Sequence, residues 1–147
     1  MLYWTAGTGA MTGTCCWAVI ADRVTTRRDT GGMPIMTVVN LEAGMPTVMT
    51  AKNLLSQALR TAHANRTHLL KLIHGYGSSG KGGAIRSAVR RELAERKRAG
   101  QIVAFIPGED FSPFNEDARM ALSRYPELSK DRDYSRQNHG ITIVVVI

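Results

Sequence analysis

The residues of this sequence with the clearest capacity for chemistry form a glycine-rich, cationic turn at positions 74–83, HGYGSSGKGG. The turn follows an apolar run and precedes a basic helical pattern, so we expect it to join a buried strand to a helix N-terminus. Unpaired backbone N–H groups and the positive end of the helix dipole meet at such a junction, and glycine lets a phosphate approach the backbone. The pattern predicts a site for the phosphate backbone of a nucleic acid.

Two general phosphate-binding motifs match the same glycines, but each lacks a partner. Residues 75–80 fit GxGxxG, yet the next apolar run ends in Pro107, where dinucleotide-binding folds have an acidic residue. Residues 75–81 fit GxxxxGK, yet Gly82 stands where a nucleoside triphosphatase has the Ser or Thr that holds Mg²⁺. A small nucleotide-binding protein is therefore an alternative of lower rank.

Two side chains near the turn could transfer protons, and we take His74 and Glu42 as the catalytic candidates. His74 ends the strand before the turn, where an imidazole could contact phosphate or act as a general acid or base near neutral pH; the alternative is a structural histidine bonded to the turn. Glu42 could act as a base or a metal ligand, whereas Asn40 can take neither role. The alternative is that Asn40 and Glu42 merely cap the following loop. We predict no structural metal, and Mg²⁺ or Mn²⁺ would enter only with catalysis.

The predicted nucleic-acid-binding residues lie in the turn and on the helix after it. Lys81, Arg86 and Arg90 would contact phosphate oxygens. Tyr76 could stack on an unpaired base or pack against the insert, and the two serines could bond phosphate or simply form the turn. The full set is Gly75, Tyr76, Gly77, Ser78, Ser79, Gly80, Lys81, Gly82, Gly83, Arg86 and Arg90.

The distribution of charge favours an anionic partner. The 147 residues carry 19 Lys and Arg against 12 Asp and Glu, a formal net charge of +7. Ten basic and two acidic residues lie between Arg60 and Arg98, so this segment holds the excess. DNA or RNA therefore ranks ahead of a membrane surface as a partner. The adjacent Cys15 and Cys16 suit neither an ordinary disulfide nor a zinc site, and we expect a cytoplasmic protein.

Hydrophobic periodicity predicts an α/β domain in the order β-α-β-α-β-insert-β. Apolar, β-branched runs indicate strands at 35–41, 68–74, 102–106 and 141–147. Apolar residues at helical spacing indicate one helix that begins after Thr47 or Thr50 and ends near Asn65, and a second that is closed by Gly100. We expect a two-layer sandwich with a four-stranded mixed sheet and two main helices.

The chain is predicted to hold one such domain at residues 35–147, with an insert at 109–136. Pro113 and Pro126 interrupt the insert, which has a short helical pattern at 116–124 and reads as a lid or a covering subdomain. Residues 1–34 are rich in Thr and Gly without a lasting period, so we expect a poorly ordered extension or the product of an upstream start codon. Alternatively, residues 16–20 pack as an extra strand or helical turn.

The turn and its surroundings resemble the Smr (small MutS-related) domain family. The resemblance rests on the HGxG block at residues 74–77 and on Gly83-x-Ile85-Arg86 at the helix start, and it extends from about Met36 to Ile147. Residues 39–42 stand at the place of the LDxH strand end, and residues 138–144 are similar to the closing G-x-T-x-V strand. The resemblance implies a four-stranded sheet with two helices that binds DNA or RNA and, in many members, cuts it as an endonuclease.

The sequence departs from the family pattern at two places. Asn40 and Glu42 stand where the family has the Asp and His of LDxH, and Tyr76 stands where Lys is frequent. We therefore expect a stand-alone Smr-like protein that recognises the backbone and shape of DNA or RNA. If His74 and Glu42 suffice for chemistry, it is a structure-dependent endonuclease. The alternative is a binding module without catalysis.

Overall fold

A mixed sheet forms the centre of the protein, whose computed structural model describes residues 24–27, 36–76 and 81–146. The strands are β1 Val24–Arg27, β2 Met36–Asn40, β3 Leu69–Ile73, β4 Ile102–Pro107 and β5 Ile141–Val146. Their order across the sheet is β1-β2-β3-β5-β4. β2 and β3 are parallel, and β5 lies between β3 and β4, antiparallel to both.

Three α-helices and one 3-10 helix accompany the sheet. They are α1 Val48–Ala64, α2 Lys81–Arg98, α3 Glu116–Arg124 and the 3-10 helix Pro126–Lys130. α1 begins after Thr47, whose hydroxyl oxygen accepts a hydrogen bond of 3.2 Å from the N–H of Thr50. α2 ends shortly before Gly100, whose φ of 72° is the left-handed conformation common at helix ends. Within the described residues, no helix is both long and apolar enough to cross a membrane.

One face of the sheet packs against α1 and α2. The apolar stripes of both helices are buried there together with alternate residues of the strands, as the helical spacing predicts. This core contains Val39, Leu41, Ala51, Leu55, Leu59, Ala62, Leu70, Leu72, Ile85, Val89, Leu93, Ile102, Val144 and Val146.

The insert covers the opposite face. Its buried residues pack on the strand positions that point away from α1 and α2, and the resulting core contains Leu69, Ala104, Ile106, Phe111, Ala118, Ala121, Leu128, Ile141, Ile143 and Val145. All six residues of β5 are therefore buried, which explains why this strand is almost continuously apolar in sequence. The insert is a structural layer rather than a detached appendage.

The predicted α/β fold is confirmed: the four predicted strands lie together in a mixed sheet with two main helices, and one further strand joins this sheet. The short helix in the insert also has the predicted bounds, at Glu116–Arg124. β1 was not predicted; it pairs antiparallel with β2 at the edge of the sheet. Its four residues, VTTR, are too few to establish a period in a Thr-rich segment. The remaining residues up to position 35, including 16–20, lie outside the described part of the chain.

Candidate nucleic-acid interface

The glycine-rich turn begins at an edge of the sheet where the ends of three strands meet. β2 and β3 are parallel, and Asn40 pairs with Ile73 at their C-terminal ends. Ile73 also pairs with Ile141, the first residue of the antiparallel β5. The segments that follow β2 and β3 and the segment that precedes β5 therefore come together, and the loops at this edge carry Glu42, His74 and His139.

His74 is fully buried at the base of the turn. Its Nδ1 lies 3.2 Å from the carbonyl oxygen of Gly75, and its Nε2 lies 2.9 Å from Oγ1 of Thr142 on β5. A carbonyl can only accept, so we assign the ring proton to Nδ1, and Nε2 then accepts from the Thr142 hydroxyl. The backbone N–H of His74 also donates to the carbonyl of Gly140, at 3.0 Å. The imidazole thereby fastens the turn to β5.

The surroundings of His74 favour its neutral form. Burial is the largest influence and lowers the pKa of His74 below its ordinary value of 6.5, while the hydrogen bond to the Gly75 carbonyl acts in the opposite direction. The positive charges of Arg90 and Arg86 lower this pKa further. His74 is therefore a neutral imidazole at pH 7, and two guanidinium groups place positive potential at the start of the turn.

Gly75 and Glu42 are in close contact. Gly75 has a φ of 73°, a conformation that favours glycine, and a Cβ added to it would overlap the carboxylate of Glu42 unless that flexible side chain moved aside. Asn40 Oδ1 accepts hydrogen bonds from the N–H groups of Glu42, at 2.9 Å, and Ala43, at 3.2 Å. Asn40 thus caps the loop that carries Glu42, and the exposed Glu42 lies beside the turn.

The ring of Tyr76 extends this surface outward. It is 69% exposed, and it meets the ring of His139 edge to face at a centroid distance of 5.6 Å. His139 lies directly before Gly140, whose carbonyl accepts from the N–H groups of both His74 and Gly75. The candidate residues Gly77, Ser78, Ser79 and Gly80 lie outside the described part of the chain, and α2 begins at Lys81.

The two candidate arginines of α2 differ in their partners. Arg90 makes a two-pronged ion pair with Glu109, with N–O distances of 2.7 and 2.6 Å, and Glu109 also lies 3.7 Å from Nδ1 of His139. Burial alone would raise the pKa of Glu109, but hydrogen bonds from Arg90 and its own backbone hold that pKa below the ordinary range. Arg86 is half-buried and pairs with none of the described carboxylates.

Several basic residues of the segment from Arg60 to Arg98 are engaged elsewhere. Lys71 is buried with Asp131 and Asp133. Arg96 forms an ion pair with Glu92, and Lys97 forms one with Asp117. Only part of the excess of basic residues in this segment therefore forms a basic surface. Among the described residues, no group of three His, Cys, Asp or Glu side chains could hold a metal ion.

Sequence reasoning did not find three participants in this site. Thr142 and Gly140 were identified only as part of the closing strand motif, although one bonds the His74 ring and the other its backbone. Glu109 was predicted only as the first residue of the insert, and nothing in its sequence context indicates a partner 19 residues earlier on a helix. A polar residue inside an apolar strand, such as Thr142, is the signal that could have been used.

These features define an α/β domain whose HGxG turn connects a central strand to a basic helix. Residues 43–110, which include α1, β3, the turn, α2 and β4, match the sequence model of the Smr domain. Residues 43–110 are therefore identified as an Smr domain, as the sequence predicted, and this kind of domain is of a nucleic-acid-binding or nuclease type.

The structure is similar to the crystal structure of the Smr domain of Thermus thermophilus MutS2, with 24% identity over 75% of this chain and 96% of that chain, and a TM-score of 0.46. No curated protein shows significant similarity to the chain.

Proposed function

We propose that this protein binds the sugar-phosphate backbone of DNA or RNA at the edge of the sheet where the HGxG turn meets α2. The observation that carries the proposal is the placement of Arg86 and Arg90 beside this turn, within an Smr domain. Their positive charge and the N-terminal end of α2 both attract phosphate. The exposed ring of Tyr76 supports stacking on an unpaired base, which favours loops, ends or branched structures.

The binding proposal predicts that affinity depends on Arg86 and on salt. We expect Arg86→Ala to weaken binding of a labelled branched DNA or structured RNA by about fivefold to twentyfold, and to reduce the slope of log affinity against log salt by about 1. The matched control is Arg60→Ala, because Arg60 lines a groove at the far ends of α1 and α2 together with Gly100 and Gln101. Fluorescence anisotropy at several salt concentrations measures both quantities.

Two results would contradict the binding proposal, and a third would favour its alternative. If Arg86→Ala and Arg60→Ala weaken binding equally, the turn is not the contact surface. If affinity is insensitive to salt, phosphate recognition itself is wrong. Tight binding of ATP instead of a polynucleotide would favour the nucleotide-binding alternative.

Cleavage of the bound nucleic acid is a second candidate function, and the position of Glu42 favours it. The carboxylate of Glu42 lies against Gly75 and is exposed, so it can reach a water or hydroxyl at a phosphate held by the turn. His74, as a buried neutral imidazole, would then position the turn, and its direct catalytic role stays a prediction. Mg²⁺ or Mn²⁺ would assist as a cation that arrives with the nucleic acid.

Cleavage is tested with end-labelled branched DNA and structured RNA in the presence of Mg²⁺ or Mn²⁺. We expect the wild type to cut and Glu42→Gln to lose more than about 100-fold of the rate, because general-base catalysis contributes 10²–10⁴. His74→Asn keeps a donor toward the Gly75 carbonyl and separates positioning from proton transfer. If wild type and Glu42→Gln are equally inactive while both bind, the protein is a binding module.

A further inference from the structure

The ion pair between Arg90 and Glu109 has the geometry of a phosphate contact. Both terminal nitrogens of Arg90 donate to the two carboxylate oxygens, at 2.7 and 2.6 Å. A phosphodiester presents two non-bridging oxygens to a guanidinium in the same forked arrangement. The carboxylate of Glu109 therefore stands where one phosphate of a nucleic acid would fit.

This ion pair is continuous with the HGxG turn. His139 lies 3.7 Å from Glu109 and contacts the ring of Tyr76 at a centroid distance of 5.6 Å. Arg90 is nine residues beyond Lys81, which corresponds to ~13 Å along α2 at 1.5 Å per residue. A strand that rises 3.4 Å per nucleotide covers this distance in roughly four steps, so one strand can reach both places.

The pair is also open to exchange. The side chains of Arg90 and Glu109 are 24% and 27% exposed, so a phosphate can approach them from solvent. Nε of Arg90 is buried and has no hydrogen-bond partner among the described residues, so Glu109 does not satisfy every donor of this guanidinium.

The backbone beside Glu109 is held in place, which limits how the pair can open. The N–H of Gly108 donates to the carbonyl of Ile141 at 3.0 Å, and a Cβ at Gly108 would overlap the carbonyl oxygen of Asn138. Departure of the Glu109 carboxylate therefore requires rotation of its side chain and no movement of β4.

We propose that Arg90 and His139 form a second phosphate subsite, and that Glu109 occupies it as an internal competitor which a nucleic-acid phosphodiester displaces. The proposal rests on the proposed binding function and adds to it a specific place, a ligand group and a residue that lowers affinity. Removal of the Glu109 charge should then strengthen binding, whereas removal of a cation weakens it.

The experiment compares Glu109→Gln with Asp117→Asn, using the full chain and a labelled branched DNA and a structured RNA. Both variants remove one negative charge from the insert and break an ion pair with α2, since Asp117 binds Lys97 at 3.0 Å. We expect Glu109→Gln to bind about threefold to tenfold more tightly and to steepen the salt slope by about 0.9 on duplex or 0.7 on single strands, the value for one added phosphate contact. Asp117→Asn should change affinity less than about twofold.

A second comparison ties the effect to Arg90. In an Arg90→Ala background, Glu109→Gln should no longer strengthen binding, because the subsite has lost its guanidinium. Circular dichroism and urea unfolding verify that each variant is folded, and the salt slope reports the number of phosphates independently of small differences in stability.

The outcomes separate the subsite from the binding function. If the wild type binds with a steep salt dependence but Glu109→Gln matches Asp117→Asn, the subsite is wrong and the binding function stands. Weaker binding by Glu109→Gln would also overturn the subsite, since Glu109 would then support the contact. If neither the wild type nor Glu109→Gln binds, both proposals fall.

Discussion

Two of the ionic clusters that connect the insert to the body of the domain differ in burial. Under the insert, Lys71 of β3 pairs with Asp131 and Asp133, and these side chains are 9%, 4% and 9% exposed. At the start of the insert, Arg90 of α2 pairs with Glu109, and these side chains are 24% and 27% exposed. Both clusters join a cation of the body to carboxylates of the insert.

The buried cluster is saturated, whereas the half-exposed one is not. Asp131 Oδ1 accepts from Lys71 at 2.6 Å and from the N–H of Asp133, and Asp133 also accepts from Asn138. Burial alone would raise the pKa of Asp133, but hydrogen bonds from Lys71 and Asn138 keep it below its ordinary value. A charged group that is buried with its partners in this way stabilises the fold. A charged group that is partly exposed to solvent can exchange its partner for another. Burial therefore suits the first cluster to stabilising the fold, and it leaves the second accessible to the phosphate that we propose as its ligand.

The sharpest test of this contrast is the removal of each cation. Lys71→Met should lower the free energy of unfolding by about 3–5 kcal/mol, because two buried carboxylates lose their partner. Arg90→Met should lower it by about 1 kcal/mol or less, since Glu109 can be hydrated where it stands. Urea unfolding of both variants measures the difference, and equal losses would remove the distinction between the clusters.

A smaller effect is expected from acidification around His74, which adjoins the second cluster. Its pKa in the folded protein lies below the ordinary 6.5, so on lowering the pH the unfolded chain takes up a proton first. Stability should fall below pH 6.5, by no more than about 1.4 kcal/mol per pH unit, until the pKa of the folded form is reached. The pKa values of Asp133 and Glu109 are lowered from the ordinary 3.8 and 4.5, so these carboxylates change the free energy of unfolding only when the pH falls below those ordinary values.

Urea unfolding between pH 7.5 and 5.5 therefore separates the effect of His74 from that of these carboxylates. His74→Asn should be less stable at pH 7.5 but should lose the dependence on pH in this interval. The exposed His63 supplies the control, and His63→Asn should keep the slope of the wild type. A slope that survives in His74→Asn would mean that another group controls stability in this range.

The smallest effects are expected at two glycines of the interface, with opposite signs. Gly75→Ala should cost about 1–2 kcal/mol, because its φ of 73° is left-handed; the Glu42 carboxylate, at the end of a flexible side chain, can move aside. Gly83→Ala should stabilise by about 0.5–1 kcal/mol, since it lies in α2 and an added Cβ meets nothing within 4 Å. Thermal unfolding of the two variants gives the signs, and a neutral Gly75→Ala would show that the turn relaxes without strain.

Much of the fold was predictable because local periodicity and capping act along the chain. The apolar stripe of α1 predicted its buried face, and Thr47 and Gly100 marked where helices begin and end. β1 was missed because four residues carry too little pattern. The sequence predicted the insert either as a lid or as a covering subdomain. It could not decide between the two, because packing of the insert on the sheet depends on long-range contacts that hydrophobic periodicity does not reveal.

The site was predictable to the same extent and for the same reason. The HGxG turn and the basic residues of α2 are contiguous in sequence, so their chemistry could be read directly. The burial of His74 and its bond to Thr142 depend on residues 68 positions apart. The pairing of Arg90 with Glu109 likewise depends on the end of a strand that is not adjacent to β3 in the sheet.

The sequence by itself determined that a glycine-rich, cationic turn connects a buried strand to a basic helix, because residue type and spacing are local properties. The tertiary structure decided which charges face solvent and which groups oppose one another. It sealed Lys71 under the insert, buried His74 as a neutral imidazole and set a carboxylate against Arg90. Burial and long-range contacts determine how well each charged side chain is solvated. A charged side chain that is buried with its partner stabilises the fold, whereas one that stays partly exposed is able to bind a ligand.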